Sequence, residues 1–304
     1  MAGSAGWCAR CWGCSAVSSA SASLAPARAG LAVDLLNRLA PRRGVAVRAG
    51  LAYGPGPRHR MDAYLPARAA ASAPAPVVVF FYGGGWEEGD RGMYRFVAAA
   101  LAARGILTLV PDYRLYPEVR FPAFMEDAAA AVAWARSFAA AQGGDPGRLF
   151  LMGHSAGAQI ATLLALDARY LRAAGMAGGR IAGVIGLAGP YDFLPLRSPT
   201  LKAIFGPEAA WPASQPITYV TASAPPMLLA AGTADRVVDP GNTQRLAARL
   251  RAAGAAAEVR LYRGLGHRAL IGGFASALAP LLPVRRATLR FIARCGGTGC
   301  GGTA

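Results

Sequence analysis

From residue 45 onward, short apolar runs bounded by glycine or proline alternate with alanine-rich segments of helical length. Continuous β-branched and aromatic runs suit strands buried on both faces, and their alternation with helices predicts a mostly parallel sheet flanked by helices. Strands are predicted over 45–53 and 58–65, joined by Gly54-Pro55-Gly56-Pro57 into an antiparallel pair at the sheet edge. Further strands follow over 77–82, 106–110, 149–153, 181–187, 227–231 and 258–262. Helices are predicted over 93–104, 126–141 and 156–171, the second stopped by Gly143-Gly144-Asp145-Pro146. Between Pro190 and Pro226 the rhythm gives way to proline-rich sequence carrying Phe193, Phe205, Trp211 and Tyr219. An irregular insertion of that length in a compact domain points to a lid over a site. The chain carries no internal repeat.

Length and composition add limits to this pattern. The 304 residues, 54% of them hydrophobic, suffice for one large α/β domain. The expected division is a flexible or leader segment over 1–40 and one domain over 41–304, with the cap at about 190–226. A formal charge of +16 raises the question of a nucleic-acid partner. All but one of the 32 basic residues are arginines, Lys202 being the exception, and they are scattered singly. That is a solvated surface of biased composition, so no nucleic-acid face is expected.

The five cysteines lie at the two ends, Cys8, Cys11, Cys14, Cys295 and Cys300, so the fold must rest on packing. The Cys8-x-x-Cys11-x-x-Cys14 spacing could seed a zinc or iron–sulfur site only with a fourth ligand from the far terminus, and no metal is expected. The leader has no apolar run long enough to span a bilayer, so no stable membrane insertion is expected. Arg10 interrupts its apolar stretch, which makes a poor signal peptide. Trp12-Gly13-Cys14-Ser15 resembles a lipoprotein cleavage site, except that Cys11 stands where Leu is usual. Compartment therefore stays open between cytoplasm and export, and oligomeric state is not readable.

The strongest chemical signal is Gly153-His154-Ser155-Ala156-Gly157, set between a predicted strand and a predicted helix. A serine on that turn is held strained with its hydroxyl above the sheet, and the following helix points its positive end at an oxyanion. Serine needs a base at neutral pH, and the chain offers three histidines. His154 would point away from the hydroxyl, and His59 lies in the edge hairpin. His267, in Gly264-Leu265-Gly266-His267 after the last predicted strand, remains. Asp235 emerges after strand 227–231, between serine and histidine in chain order, and is the candidate partner of the imidazole. Asp239, beside Pro240, is read as a helix cap instead. Tyr82-Gly83-Gly84-Gly85-Trp86 closes a buried strand with a glycine run whose amides can approach a ligand, and it lacks the Lys-Ser/Thr ending of a phosphate loop.

These motifs, in this order over about two-thirds of the chain, resemble the esterase/lipase branch of the α/β-hydrolase superfamily, the hormone-sensitive-lipase-like carboxylesterases. Residues 82–86 resemble its His-Gly-Gly-Gly-Trp segment, with Tyr82 in place of His. Asp112-Tyr113-Arg114-Leu115, Phe121-Pro122 with Asp127, Gly189-Pro190-Tyr191-Asp192 and Gly232-Thr233-Ala234-Asp235 match further landmarks. The resemblance implies an α/β-hydrolase fold with a cap, oxyanion donors at the amides of Gly84, Gly85 and Ala156, and a bracing role for Tyr82. The expected activity is cleavage of small-molecule carboxylic esters through an acyl-enzyme on Ser155, with no metal or organic cofactor. An amidase or formamidase of the same fold is the alternative within the class. A non-catalytic ligand binder is the alternative outside it, disfavoured by the presence of His267.

Overall fold

The computed structural model describes residues 26–67, 73–176 and 178–296. In chain order these form α1 (Pro26–Arg38), β1 (Val45–Ala52), β2 (Arg60–Pro66), β3 (Ala75–Phe81), α2 (Arg95–Ala102), β4 (Leu107–Pro111) and α3 (Ala123–Ala141). There follow β5 (Gly144–His154), α4 (Ala156–Leu166), α5 (Ala168–Ala173), β6 (Gly183–Leu187), α6 (Pro199–Phe205) and β7 (Met227–Gly232). The chain continues through α7 (Gly241–Ala252), β8 (Ala257–Tyr262), α8 (His267–Gly272) and α9 (Val284–Cys295).

Eight strands form one sheet in the order β1-β2-β4-β3-β5-β6-β7-β8. The pairings β1 with β2 and β2 with β4 are antiparallel, and all others are parallel. This is the sheet that the α/β-hydrolase resemblance implies, including the antiparallel edge pair. Side chains of β3, β4, β6 and β7 are buried almost throughout, which is why these segments read as unbroken apolar runs. After β3 the chain crosses to β4 on one side and returns to β5 on the other. The carboxyl ends of β3 and β5 therefore meet where connections diverge, Phe81 pairing with Gly153, and that reversal opens a crevice above the sheet.

Several boundaries differ from those the spacing predicts, each for a visible reason. The helix predicted over 156–171 breaks at Asp167, whose carboxylate accepts the Arg169 amide at 3.1 Å and starts α5. The strand predicted from 149 begins at Gly144, because Gly144 pairs with Ala75 of β3. Within the segment expected to be leader, α1 is an ordered helix tied to the body: Asn37 donates to the Gly92 carbonyl (3.0 Å) and accepts the Phe96 amide (3.0 Å). The cysteine triplet and Cys300 lie outside the described residues. Among the described residues no helix is long and apolar enough to cross a membrane.

The Asp-Tyr-Arg-Leu segment has a structural use. Arg114 donates to the buried Asp127 of α3 through Nη2 (2.7 Å), Nε (2.8 Å) and its own amide (2.9 Å). His59 Nε2 lies 3.1 Å from the same carboxylate. Burial alone would push the Asp127 carboxyl up, but the Arg114 hydrogen bonds outweigh it and hold the group below the usual carboxylate range. A depressed carboxyl contributes stability that is present above the unfolded-state value and is lost as pH falls through the folded one. Asp127→Asn, which removes the charge beneath Arg114, is expected to lower the unfolding free energy by about 3 kcal/mol, read as an earlier urea midpoint at pH 7. The variant should also lose part of the wild-type destabilisation seen on acidification below about pH 4. An unchanged midpoint would show that the cluster contributes nothing net.

Candidate active site

Ser155 sits between β5 and α4 with φ 56° and ψ −125°, the sharp turn expected of a nucleophile elbow. Its amide donates to the Leu187 carbonyl of β6 (2.9 Å), which pins the turn to the neighbouring strand. The flanking glycines are steric requirements. A Cβ on Gly153 would fall 2.1 Å from the Gly157 carbonyl oxygen, and one on Gly157 would fall 2.1 Å from that of Phe81. Ala156 opens α4, so its amide has no acceptor within the helix.

The oxyanion segment leaves β3 beside this turn. Gly84 (φ 142°) and Gly85 (φ 62°) adopt backbone conformations that side chains resist, and a Cβ on Gly84 would lie 1.9 Å from the Glu88 carbonyl oxygen. Among the described residues the amides of Gly84 and Gly85 donate to no protein acceptor, whereas the Gly84 carbonyl accepts from Glu87 (3.1 Å) and Glu88 (3.0 Å). Trp86, also at positive φ, ties the loop to α4 and to the segment after α6: its indole donates to Gln159 (3.3 Å), which donates to the Ser214 carbonyl (2.8 Å).

Tyr82 is fully buried under this loop, its ring 4.7 Å from that of Tyr113. Its hydroxyl accepts from Arg58 Nη2 (2.7 Å). The same guanidinium donates to the carbonyls of Gly89 (2.8 Å) and Tyr113 (2.8 Å). Burial drives the Tyr82 phenol well above its ordinary value, so it stays neutral. Tyr82 thus holds the loop through Arg58, a residue that sequence reasoning missed. Its partners lie 24, 31 and 55 positions away, and no local pattern marks such an arginine among so many.

Asp235 and His267 arrive on two segments bonded to each other. The Ala234 amide donates to the Leu265 carbonyl (3.0 Å), Thr233 to Tyr262 (3.0 Å), and the Gly264 amide to Thr233 Oγ1 (2.9 Å). A Cβ on Gly232 would fall 2.1 Å from the Leu265 carbonyl oxygen, which explains a glycine at the end of β7. Asp235 Oδ1 accepts the amides of Val237 (2.9 Å) and Val238 (3.0 Å), leaving Oδ2 to face His267 Nδ1 at 2.7 Å. The rival Asp239 is exposed, accepts the Gly241 amide (2.9 Å) at the entrance of α7 and pairs with Arg245, away from the imidazole.

His267 is the first residue of α8, and its ring lies 4.7 Å from that of His154, the residue before Ser155. Ser155 Oγ and His267 Nε2 do not meet hydrogen-bonding geometry here, and neither has another partner among the described residues; such bonds tighten when substrate binds. An imidazole with Nδ1 on a carboxylate and Nε2 unengaged can accept a proton from a hydroxyl brought within reach. His59 is committed to Asp127, and His154 to Tyr94 and the His267 carbonyl.

Of the aromatics between Pro190 and Pro226, Phe205 meets Trp86 edge-on at 4.9 Å and Phe193 stacks on it at 6.0 Å, giving the glycine loop an apolar flank. A cleft of about 380 Å³ lined by Leu171, Arg172, Met176, Arg180 and Pro226 lies at the opposite, amino-terminal ends of β6 and β7 and holds none of these residues. Among the described residues no group of three or more His, Cys, Asp or Glu side chains is placed to hold a metal ion.

Comparison with known proteins bears on this geometry. A probable isoprenylcysteine alpha-carbonyl methylesterase of Arabidopsis thaliana is 31% identical over 73% of this chain and 51% of its own length. Esterase LipC of Mycobacterium tuberculosis is 32% identical over 66% of this chain and 54% of its own. The chain thus spans about half the length of the curated relatives it matches. Among solved structures, the propionate-bound Est2 esterase of Thermogutta terrifontis superposes with a TM-score of 0.69 at 25% identity, covering 86% of this chain and 97% of that one. Phosphonate-inhibited esterase B of Lactobacillus rhamnosis superposes with a TM-score of 0.76 at 21% identity, over 88% and 92% of the two chains, and shares the fold. The BD-FAE family model matches residues 61–250, a stretch holding the oxyanion segment, the elbow and Asp235, and the chain belongs to that family of α/β-hydrolases.

Proposed function

We propose that the protein hydrolyses small-molecule carboxylic esters through an acyl-enzyme on Ser155. The observation that carries this reading is the Asp235–His267 pair, 2.7 Å apart, delivered beside a strained serine elbow. Relatives named as esterases support the same class of reaction.

In the first half-reaction Ser155 Oγ attacks the ester carbonyl while its proton passes to His267 Nε2. Asp235 stays ionised, accepts the Nδ1–H and stabilises the imidazolium. The carbonyl oxygen becomes an oxyanion, met by the amides of Gly84, Gly85 and Ala156, which need no reorganisation because their backbone is already fixed. Collapse expels the alcohol, protonated by His267. A water then takes the alcohol's place, gives its proton to His267 and attacks the acyl carbon, and the second collapse returns the proton to Ser155 as the acid leaves. The cycle closes with no net electron transfer, so this chain's own residues suffice. The Trp86, Phe193 and Phe205 flank suits an apolar portion of the substrate.

Ser155→Ala is expected to lower kcat for a nitrophenyl butyrate by at least about 10³-fold with the fold intact; turnover within a few-fold of wild type would end the proposal. Tyr82→Phe removes the acceptor for one Arg58 hydrogen bond, a loss of about 1–1.5 kcal/mol. If the brace positions the oxyanion amides, kcat should fall about 10-fold with KM little changed. Unchanged kinetics would remove Tyr82 from the mechanism.

A further inference from the structure

The mechanism above leaves His154 unused, although it is a buried titratable group one peptide bond from the nucleophile. We propose that His154 is a positioning residue, which anchors the backbone of the base His267 to the elbow and links both, through Tyr94, to the oxyanion segment. The proposal rests on the reading of His267 as general base.

The geometry defines both hydrogen bonds. His154 Nε2 lies 3.2 Å from the backbone carbonyl oxygen of His267, and Nδ1 lies 3.2 Å from the Tyr94 hydroxyl. A carbonyl can only accept, so Nε2 carries the hydrogen. Nδ1 is then an acceptor, and the Tyr94 hydroxyl donates to it. Burial pushes the Tyr94 phenol up to about 12, with the Gly83 amide facing it and acting in the opposite direction, so the donor keeps its proton. The ordered chain therefore runs from the Tyr94 hydroxyl to His154 and from His154 to the His267 carbonyl, and the Tyr94 ring stacks on that of Tyr82 at 6.4 Å, next to Gly83. Gly83 is pressed onto the same spot: a Cβ there would lie 2.9 Å from Ser155 Cβ and 3.2 Å from His154 Nδ1.

This wire joins the three parts of the site that come from distant sequence. Gly83 belongs to the loop after β3, His154 to the end of β5, and His267 to the start of α8, which lies 113 positions further along. Asp235 fixes the tilt of the His267 ring through Nδ1, but a ring bond alone leaves the residue's backbone free to shift. The His154 bond restrains that backbone relative to the residue adjoining Ser155. His154 also has to stay uncharged, since its ring is 4.7 Å from the imidazole that becomes cationic during attack. Burial, and secondarily His267 itself, press its pKa down to about 3, so it remains neutral at working pH.

The test compares His154→Gln, whose side-chain amide keeps an N–H donor for the His267 carbonyl, with His154→Leu, of similar bulk and no donor. Turnover of nitrophenyl butyrate and thermal midpoints are measured for both, alongside His267→Ala. The proposal expects kcat of the Leu variant to fall about 100-fold with KM within a few-fold, and the Gln variant to stay within about 5-fold of wild type. Equal losses in the two variants, a loss confined to KM, or full activity in the Leu variant would each overturn it. Should the Leu variant not fold, Tyr94→Phe carries the test, with kcat about 5-fold lower expected and wild-type kcat contradicting the proposal. His267→Ala separates the two claims: wild-type turnover there would remove the base reading itself, whereas an inactive Ala variant beside a fully active Leu variant removes only the role of His154.

Discussion

A serine with φ 56° is the constraint on which the site depends. A non-glycine residue in that region costs on the order of 1–3 kcal/mol and persists only where its surroundings leave no alternative. Here the surroundings are the sheet itself. Ser155 hangs from the Leu187 carbonyl, Gly153 touches Gly157, and Gly157 touches the last carbonyl of β3. None of these contacts tolerates an added methyl group without backbone movement, so the turn can relax only if β3, β5 and α4 part. The same close approach of α4 to β3 sets Gly83, at the start of the glycine run, against Ser155. The serine turn and the glycine run are thus placed by one packing contact.

The remaining parts are held by polar links matched to what each must withstand. The acid turn and the base segment are laced by three backbone-centred hydrogen bonds, so Asp235 and His267 move as a unit. The loop that carries Gly84 and Gly85 is supported from below by Arg58 and Tyr82 and from the side by Trp86 through Gln159 to Ser214. Burial keeps the phenols of Tyr82 and Tyr94 and the imidazole of His154 neutral, so these three buried supports add no charge of their own beside the site.

What could be read from the sequence follows from how local its cause is. The elbow was legible because its glycines, serine and strand-to-helix setting fall within five residues. His267 and Asp235 were legible because chain order and strand ends restrict where such residues can stand. The role of Arg58 was not, because its three acceptors lie 24, 31 and 55 positions away and one arginine among many carries no mark. The helix α1 escaped notice because its contacts with Gly92 and Phe96 are supplied by a single asparagine. Helix α9 was not anticipated either, although its buried Val284, Thr288, Phe291 and Ile292 recur at the spacing of one helical face. The break at Asp167 shows a competing rule at work, a capping carboxylate ending a run that apolar content alone would continue.

The central claim is that Ser155 is the chain's activated nucleophile. The most direct measurement is to treat the folded protein with a fluorophosphonate and locate the adduct by mass spectrometry of its peptides. The account predicts a single stoichiometric phosphonyl group on Ser155, formed slowly or not at all after heat denaturation. An unmodified protein, or an adduct on any other residue, would contradict it.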